Sequence, residues 1–354
     1  MVYSVQGTIL AVSLDVSALE LSGGSVRLIQ NMMPVGPFPG THFGFSESGA
    51  LAYVPDSARM NTVPMWVSHD GREEPLQVTP MPYRWAQLSP DGTRVALDLS
   101  PIVENSDIWI YHLERETTTR FTFGAARNFL PVWTPDGERI VFHSDREGGG
   151  LFWKRADGTG SVEHLTTEDD NFQGPSTISP DGRLVVFVET HPANRFDIKT
   201  VTLDGERVVE PLLATPFDEI RPSISPDGRW MAYQSDESGQ FDVYVRPFPD
   251  VDGGKWQVSR DGGNSPVWAR DGKALFYGNG QAMMRVAVAT EPTFSASMPE
   301  LLFEGPYTFR GRSHDVAPLG ERLLMVKRST DTPREIHVVL NWFEELKARV
   351  PTGN

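Results

Sequence analysis

One four-residue turn, Ser-Pro-Asp-Gly, recurs along the chain and constrains its fold more than any other feature. Successive copies are separated by roughly 43 to 48 residues, which is the period of one four-stranded blade in a β-propeller. Intact copies stand at 89–92, 179–182 and 225–228, close variants at 134–137 and 269–272, and degenerate copies at 46–49 and 317–320. The spacing therefore predicts a repeated antiparallel unit.

Each turn joins two short strands, and the first of them predicts a buried face. An aromatic or aliphatic residue stands three places before the turn aspartate or its equivalent, and we expect these side chains to pack between blades: Phe45, Leu88, Trp133, Ile178, Ile224 and Trp268. In the turn itself, glycine supplies the positive φ of a tight hairpin and aspartate accepts backbone N–H bonds. Because the same residues recur in every repeat, the turn is interpreted as scaffold.

The predicted fold class is all-β, a β-propeller of four-stranded antiparallel blades. Seven blades fit the repeats, and six or eight are alternatives. Strands within residues 1–32 are expected to close the ring with the C-terminal strands, so that 1–354 form one propeller domain, because closure removes exposed sheet edges. We expect residues 342–354 to form a short amphipathic helix followed by a tail. The repeats lie at about 41–80, 81–125, 126–168, 169–215, 216–260, 261–305 and 306–341.

The amino-acid composition excludes several classes of chemistry and of binding partner. The chain has no cysteine, which rules out disulfides and thiolate chemistry, and its formal charge of -15 argues against a nucleic-acid partner. No stretch approaches the roughly 20 apolar residues of a membrane span, and the N-terminus lacks both parts of a signal peptide. We therefore expect a soluble chain that is cytoplasmic as given, or extracytoplasmic if it is one part of a longer protein.

Known catalytic motifs are absent from the sequence. It contains no Gly-x-Ser-x-Gly elbow, no His-Glu-x-x-His helix, no phosphate-binding Walker loop and no dinucleotide fingerprint. Asp250-x-Asp252-Gly253 resembles the start of a calcium loop, but the residues that follow do not supply its further oxygen ligands. No cofactor is predicted, although a divalent metal in the central channel is compatible with the sequence.

An enzyme remains the alternative to a binding module. Such a lyase or hydrolase would use His42 and His314, which could face one another across the ring closure. Asp218 and Glu219 would then serve as acid and base or as metal ligands.

Positions about five to ten residues before each turn carry the strongest functional signal. In a propeller the innermost strand begins there, at one mouth of the central channel, where side chains from all blades converge. The residues differ from repeat to repeat, as a binding site requires, although polar residues that only solvate a water-filled channel are the alternative. The candidates are His42, Arg84, Asn128, Asn171, Asp218, Glu219, Arg221, Asn264, Arg312 and His314. Arg84 and Arg221 favour an acidic or zwitterionic ligand, and a protein partner fits the same mouth.

With these repeats the chain resembles the TolB-type β-propeller repeat family. Over its whole length it is similar to the propeller found C-terminal to many bacterial serine/threonine protein kinases, although it contains no kinase motif. The resemblance implies a scaffold used for protein contact, for sensing or as the gating part of some peptidases, and hence a binding module without its own catalytic motif. It is carried by IRPSISPDGRWMAYQSDESGQFDVYVRPFP at 220–249, KWQV at 255–258, SPVWARDGKALFY at 265–277 and NWFEELK at 341–347.

Overall fold

The chain folds almost entirely into β-strands. A computed structural model describes residues 1–5, 7–30, 32, 41–55, 61–99, 106–146, 148–166, 171–191, 195–309, 311–329 and 335–350. Within these ranges no helix is long and apolar enough to cross a membrane. The chain divides into two compact units: unit 1 consists of Met1–Asn61 and Ser329–Asn354, and unit 2 of Thr62–Arg328.

The strands are short and follow one another in chain order. The first seven are Val2–Val5 (β1), Thr8–Asp15 (β2), Glu20–Ile29 (β3), Phe43–Phe45 (β4), Leu51–Tyr53 (β5), Thr62–Ser68 (β6) and Glu73–Pro75 (β7). The next eight are Tyr83–Leu88 (β8), Arg94–Leu99 (β9), Ile108–His112 (β10), Thr117–Arg120 (β11), Asn128–Trp133 (β12), Arg139–Ser144 (β13), Gly150–Arg155 (β14) and Glu163–His164 (β15).

The second half continues the same pattern. It contains Gln173–Ile178 (β16), Leu184–His191 (β17), Arg195–Thr202 (β18), Val209–Leu213 (β19), Glu219–Ile224 (β20), Trp230–Ser235 (β21), Asp242–Pro247 (β22) and Trp256–Gln257 (β23). It ends with Asn264–Trp268 (β24), Ala274–Asn279 (β25), Ala282–Ala289 (β26), Ser295–Ala296 (β27), Glu300–Glu304 (β28), His314–Val316 (β29), Arg322–Arg328 (β30) and His337–Val339 (β31). A 3-10 turn covers Val251–Gly253, and one α-helix covers Trp342–Arg349 (α1).

Unit 2 is a closed ring of six antiparallel blades. Five blades are built from consecutive strands, β8–β11, β12–β15, β16–β19, β20–β23 and β24–β27 with β28 beside β26. The sixth joins the two ends of the unit in the order β29-β30-β6-β7. Each innermost strand contacts the next, and β29 contacts β8. We number the blades 1 to 6 by their innermost strands β8, β12, β16, β20, β24 and β29.

The ring closes with strands from both ends of the unit, but not with the predicted residues. The prediction assigned the N-terminal contribution to residues 1–32, whereas Thr62–Ser68 pairs with Arg322–Arg328, with Trp66 opposite Leu324. Thr8–Asp15 pairs instead with β1 and β3. The pairing thus places β6, and not the first strands of the chain, in the closing blade.

Of the blade counts that the sequence left open, seven was favoured and six was an alternative; unit 2 holds six. The first repeat carries the degenerate turn 46–49, and its strands β4 and β5 pair with β31 in a three-stranded sheet of unit 1. Phe45, predicted to pack between blades, is 52% exposed there and stacks on Trp342. Trp342 begins the predicted C-terminal helix and is buried with Ile9 and Leu51. Residues 351–354 of the predicted tail lie outside the described residues.

Side chains of the innermost strands hold neighbouring blades together. Trp133 and Trp268, predicted to pack between blades, are buried. The indole Nε1 of Trp133 donates to the carbonyl oxygen of Gln87 at 3.2 Å, and that of Trp268 donates to the carbonyl oxygen of Ser223 at 3.0 Å. Both acceptors lie in the innermost strand of the preceding blade. The backbone N–H of Trp133 also donates to Gln87 Oε1 at 3.1 Å, so the same pair of residues is joined twice.

Replacing Trp133 or Trp268 with alanine is expected to cost roughly 3–5 kcal/mol of unfolding free energy, because each change removes a buried indole and its bond to the neighbouring blade. Trp133→Phe keeps an aromatic ring but leaves the buried carbonyl of Gln87 without its donor, which should cost about 1–3 kcal/mol. Midpoints and slopes of denaturant unfolding measure both effects.

Trp153→Phe is the matched control, because the Nε1 of Trp153 donates to Glu163 at an exposed position. We expect it to cost less than about 1 kcal/mol. Equal losses for Trp133→Phe and Trp153→Phe would contradict a stabilising bond between blades.

The Ser-Pro-Asp-Gly turns have the geometry expected of scaffold. Ser225 Oγ donates to Asp227 Oδ1, which also accepts the backbone N–H of Arg229 at 3.1 Å. The turns also approach one another around the ring. A Cβ added to Gly92 would lie only 2.5 Å from Pro318 Cγ, although Gly92 belongs to blade 1 and Pro318 to blade 6. This contact ties the first turn of the ring to the last.

Gly92→Ala should therefore destabilise unit 2 more than Gly182→Ala does. Both glycines have positive φ, 71° and 75°, so each substitution costs about 1–2 kcal/mol of backbone strain. A Cβ on Gly182 would meet nothing within 4 Å, whereas one on Gly92 collides with Pro318, at a further cost of about 1 kcal/mol or more.

Thermal and denaturant unfolding of both variants measures this difference. The second substitution Pro318→Ala should recover part of the loss in Gly92→Ala and none in Gly182→Ala. Equal losses in the two single variants would contradict the contact between the turns.

Candidate functional site

Arg221 and Arg312 line a cavity in the channel of unit 2, and Arg84 lies close enough to Arg221 to lower its pKa. We call these three residues, from three blades, the arginine cluster: Arg84, Arg221 and Arg312. Arg312 Nη1 donates to the carbonyl oxygen of Ser176 in β16 at 2.9 Å. The guanidinium carbon of Arg221 lies 5.9 Å from the ring centroid of Trp85 in β8. Arg312 belongs to blade 6 and Ser176 to blade 3, while Arg221 belongs to blade 4 and Trp85 to blade 1. Each contact therefore joins blades on opposite sides of the ring.

A small cavity lies beside Arg221 and Arg312. Its volume of about 10 Å³ is close to that of one water-sized probe. Residues from five blades line it: Trp85, Ser176, Arg221, Pro222, Ser223, Ser265, Pro266, Val267 and Arg312. The arginines and their neighbours thus fill most of the channel at this level.

A repeated break in the innermost strands positions these residues. Leu130, Arg221 and Ser265 each stand four places before their turn, directly before a proline, and have positive φ between 54° and 60°. The register shifts at the same place in β12, β20 and β24. Such bulges re-aim a side chain out of the regular alternation of a strand. The conformation costs about 1–3 kcal/mol at each residue and therefore needs support from its surroundings.

Side chains of the preceding blade support two of these bulges. The backbone N–H of Leu130 donates to Asp98 Oδ2, and that of Ser265 donates to Gln234 Oε1, both at 2.8 Å. Asp98 and Gln234 are buried in β9 and β21. The channel-lining backbone of one blade is thus fixed by a polar side chain of its neighbour.

The arginine cluster carries more positive charge than its acidic neighbours balance. Arg84 Nη2 lies 3.9 Å from Asp98 Oδ2, and Arg312 Nη2 lies 4.0 Å from Asp315 Oδ1. Both distances are too long for hydrogen bonds. Burial lowers the pKa of Arg221 to about 10, with a further lowering by Arg84 and an opposing effect of Asp98. Arg221 therefore stays charged at neutral pH.

Asp98 has an unusual environment for a carboxylate. It is fully buried, and burial raises its pKa, while the charge of Arg84 and the backbone N–H of Leu130 lower it. One of its oxygens, Oδ1, has no hydrogen-bond partner in the described part of the chain. The side chain therefore supports the bulge at Leu130 and also faces the charge of Arg84.

The predicted site residues do not all converge on the channel. Three of the ten form the arginine cluster. Asn128 is buried within blade 2, where its amide oxygen accepts from Ser144 and Arg146. Asn171 is half-buried just before β16, and Asn264 is half-buried at the start of β24.

Asp218 lies between two blades and not in the arginine cluster. Its Oδ1 accepts the backbone N–H of Phe196 at 3.0 Å, and its Oδ2 lies 3.5 Å from Arg195 Nη1. Both partners belong to blade 3, whereas Asp218 directly precedes the innermost strand of blade 4. We expected Asp218 to lie beside Arg84 at one opening of the channel. Its side chain instead contacts the outer strand β18 of blade 3, so this expectation is wrong.

The two histidines proposed as acid and base have different surroundings. His42 is exposed in unit 1, directly before β4, and His314 is fully buried in the closing sheet of unit 2. Burial lowers the pKa of His314 to about 4, which keeps its ring neutral at pH 7. Over the ranges that the structure describes, no three His, Asp or Glu side chains are grouped so that they could hold a metal ion.

Trp85, Ser176 and Ser265 line the cavity although sequence reasoning did not select them. Trp85 and Ser265 stand four places before their turns, where the residue type differs from one repeat to the next. This variation is the sequence signal that could have identified them. Ser176 stands three places before its turn. Arg221 stands at the same position as Trp85 and Ser265 and was among the predicted site residues, whereas those two were not.

Glu219 is buried in a surrounding that disfavours its charge. Thr215 donates to it through its backbone N–H, at 3.3 Å, and through its hydroxyl. Burial raises the pKa of Glu219 to about 7, Thr215 opposes this, and the charges of Asp197 and Glu237 raise it further. The carboxyl group is therefore partly protonated at neutral pH.

The raised pKa of Glu219 should make unit 2 less stable at alkaline pH. The protonated form stabilises the fold fully below the ordinary value of 4.5, and this contribution is lost as the pH rises through about 7. Glu219→Gln should remove this pH dependence, and by pH 8 it should be more stable than wild type by up to about 3 kcal/mol. Thermal melts from pH 5 to pH 8 test this.

The control for this prediction is Glu206→Gln, which changes an exposed carboxylate. It should leave the pH dependence of wild type in place. A Glu219→Gln variant whose melting temperature falls with pH as wild type does would contradict the prediction.

The six blades of unit 2 define a β-propeller, and comparison with known proteins agrees with the propeller fold. The family model of the TolB β-propeller domain matches residues 84–227. An uncharacterized protein of Agrobacterium fabrum is 31% identical over 210 residues, which cover 54% of this chain and 68% of that relative. The chain belongs to the TolB β-propeller family. The narrower resemblance to kinase-associated propellers stays a prediction.

One relative is a much larger protein. The uncharacterized peptidase YuxL of Bacillus subtilis is 27% identical over 206 residues, which cover 45% of this chain and 31% of that peptidase. The match thus spans less than a third of its length.

Solved structures share the fold at low sequence identity. A candidate TolB from Agrobacterium tumefaciens has a TM-score of 0.61 at 18% identity, covering 76% of this chain and 99% of that one. TolB from Acinetobacter baumannii has a TM-score of 0.51 at 17% identity, covering 70% of this chain and 65% of that one. An oligogalacturonate lyase from Vibrio parahaemolyticus has a TM-score of 0.51 at 13% identity, covering 82% and 97%.

Proposed function

We propose that the chain is a binding module that receives a protein segment or a small polar ligand at the arginine-bearing end of the channel of unit 2. One observation carries this proposal. The residues that repeat from blade to blade build turns and contacts between blades, whereas several of those that line the cavity differ from blade to blade. Trp85, Arg221 and Ser265 stand at the same distance from their turns and offer three different chemistries. Variation of this kind is what recognition of an asymmetric ligand requires.

The relatives support binding and enzymatic roles alike. TolB proteins and an oligogalacturonate lyase share the fold, and a peptidase shares part of the sequence. An acid–base mechanism needs titratable groups side by side and within reach of a substrate. His314 and Glu219 are instead buried in separate blades. The binding role is therefore the better supported of the two.

A ligand panel with positional mapping tests the proposal. Neutral sugars, amines, carboxylates and short peptides are screened by thermal shift, and each stabilising compound is mapped by hydrogen–deuterium exchange. We expect at least one compound to slow exchange at the starts of β8, β20 and β29. Arg84→Ala should weaken its binding at least tenfold, because Arg84 is 32% exposed at this end of the channel.

Arg183→Ala is the matched control, since Arg183 is exposed beside the turn at the opposite end of blade 3. It should leave binding unchanged. The proposal fails if no compound protects the channel end, or if protection maps only to the turns. Chemical conversion of a bound compound, abolished in His314→Ala, would favour the enzyme instead.

A further inference from the structure

We propose that the arginine cluster binds the carboxylate group of a monovalent acid. This inference rests on the proposed function and names the chemical class of its ligand. Three features of the channel carry it: hydrogen-bond donors without acceptors, an excess of positive charge, and an apolar wall beside the guanidinium groups.

The first feature is the shortage of acceptors. Each guanidinium group carries five N–H donors in a planar fork. The Nε atoms of Arg84 and Arg312 are buried and have no hydrogen-bond partner among the described residues. Arg312 donates through Nη1 to Ser176, and the contact of Arg221 is with the face of Trp85. Buried donors are costly to leave unpaired, so an acceptor that reaches them is bound favourably.

The second feature is the charge balance. Arg84 and Arg312 lie near the buried carboxylates of Asp98 and Asp315, at 3.9 and 4.0 Å, while Arg221 and Arg270 add further positive charge nearby. A bound carboxylate offsets part of this positive charge. A tetrahedral phosphate or sulfate is bulkier than a planar carboxylate, and the small cavity admits it less easily. Arginine also binds carboxylates through two parallel hydrogen bonds.

The third feature is the shape and polarity of the wall. Trp85, Pro222, Pro266 and Val267 line the cavity together with the arginines. Exposure of the guanidinium-bearing side chains falls from 32% at Arg84 to 16% at Arg312, so the acid group would enter past Arg84. The cavity has room for about one water, so a carboxylate oxygen would take that place while the body of the acid stays on the side of Arg84.

Titration of the whole chain with simple anions tests the inference. Acetate and propionate are added as sodium salts at constant ionic strength, with chloride as the balancing salt, and binding is followed by calorimetry and thermal shift. We expect saturable binding of both carboxylates, and at least tenfold weaker binding of sulfate and phosphate. Arg221→Met and Arg84→Met should each weaken acetate binding at least tenfold, while Arg183→Met should leave it unchanged.

Two variants are needed because Arg221 stands in the bulge of β20 and its replacement could disturb the fold. Arg84 is more exposed, and its variant keeps the test valid if Arg221→Met does not fold. The inference is overturned if wild type shows no saturable carboxylate binding, if sulfate or phosphate binds as tightly, or if acetate binding survives in Arg84→Met. A neutral or cationic ligand could instead protect the channel end without being displaced by acetate. That result would overturn the inference that the ligand is a carboxylate and would leave the proposed function standing.

Discussion

The ring depends on bonds between side chains and backbone across the gap from one blade to the next. Within a blade, a ladder of backbone hydrogen bonds joins the strands, but the innermost strands of adjacent blades belong to separate sheets. Two indole N–H groups bridge this gap, those of Trp133 and Trp268. Asp315 bridges it through its Oδ2, which accepts the backbone N–H of Leu88 at 3.0 Å. The channel keeps its width because these bonds fix the distance between neighbouring strands.

Much of this architecture could be predicted from the sequence, because the same structural unit repeats in each blade. The turn glycines and the buried residues before them follow from local chemistry that is the same in every blade. Closure is different, because strand pairing between distant segments depends on which strand reaches the open edge. Both Thr62–Ser68 and Thr8–Asp15 are short, mainly apolar segments, and the sequence alone assigned the closing strand to the wrong one.

The candidate site could be predicted only in part, for a reason that lies in strand geometry. Successive side chains of a regular strand alternate between two faces, so a shift of one residue changes what a side chain meets. Asp218, Glu219 and Arg221 are close in sequence. Asp218 contacts blade 3, Glu219 accepts hydrogen bonds from Thr215, and Arg221 lines the channel. The bulge at Arg221 breaks the alternation, and its position cannot be derived from hydrophobic periodicity.

The closing sheet also has a consequence for how the ring forms during synthesis. Val63 pairs with Lys327 about 260 residues later, a contact of very high sequence separation that forms slowly. The first strands of the unit leave the ribosome long before their partner exists and present an unpaired edge. Pro64 in β6, and Glu73, Glu74 and Pro75 in β7, are residue types that discourage edge-to-edge association. In the folded ring these residues form the outer half of a blade. During synthesis they also protect the nascent chain from association through its unpaired edge until the last strand is made.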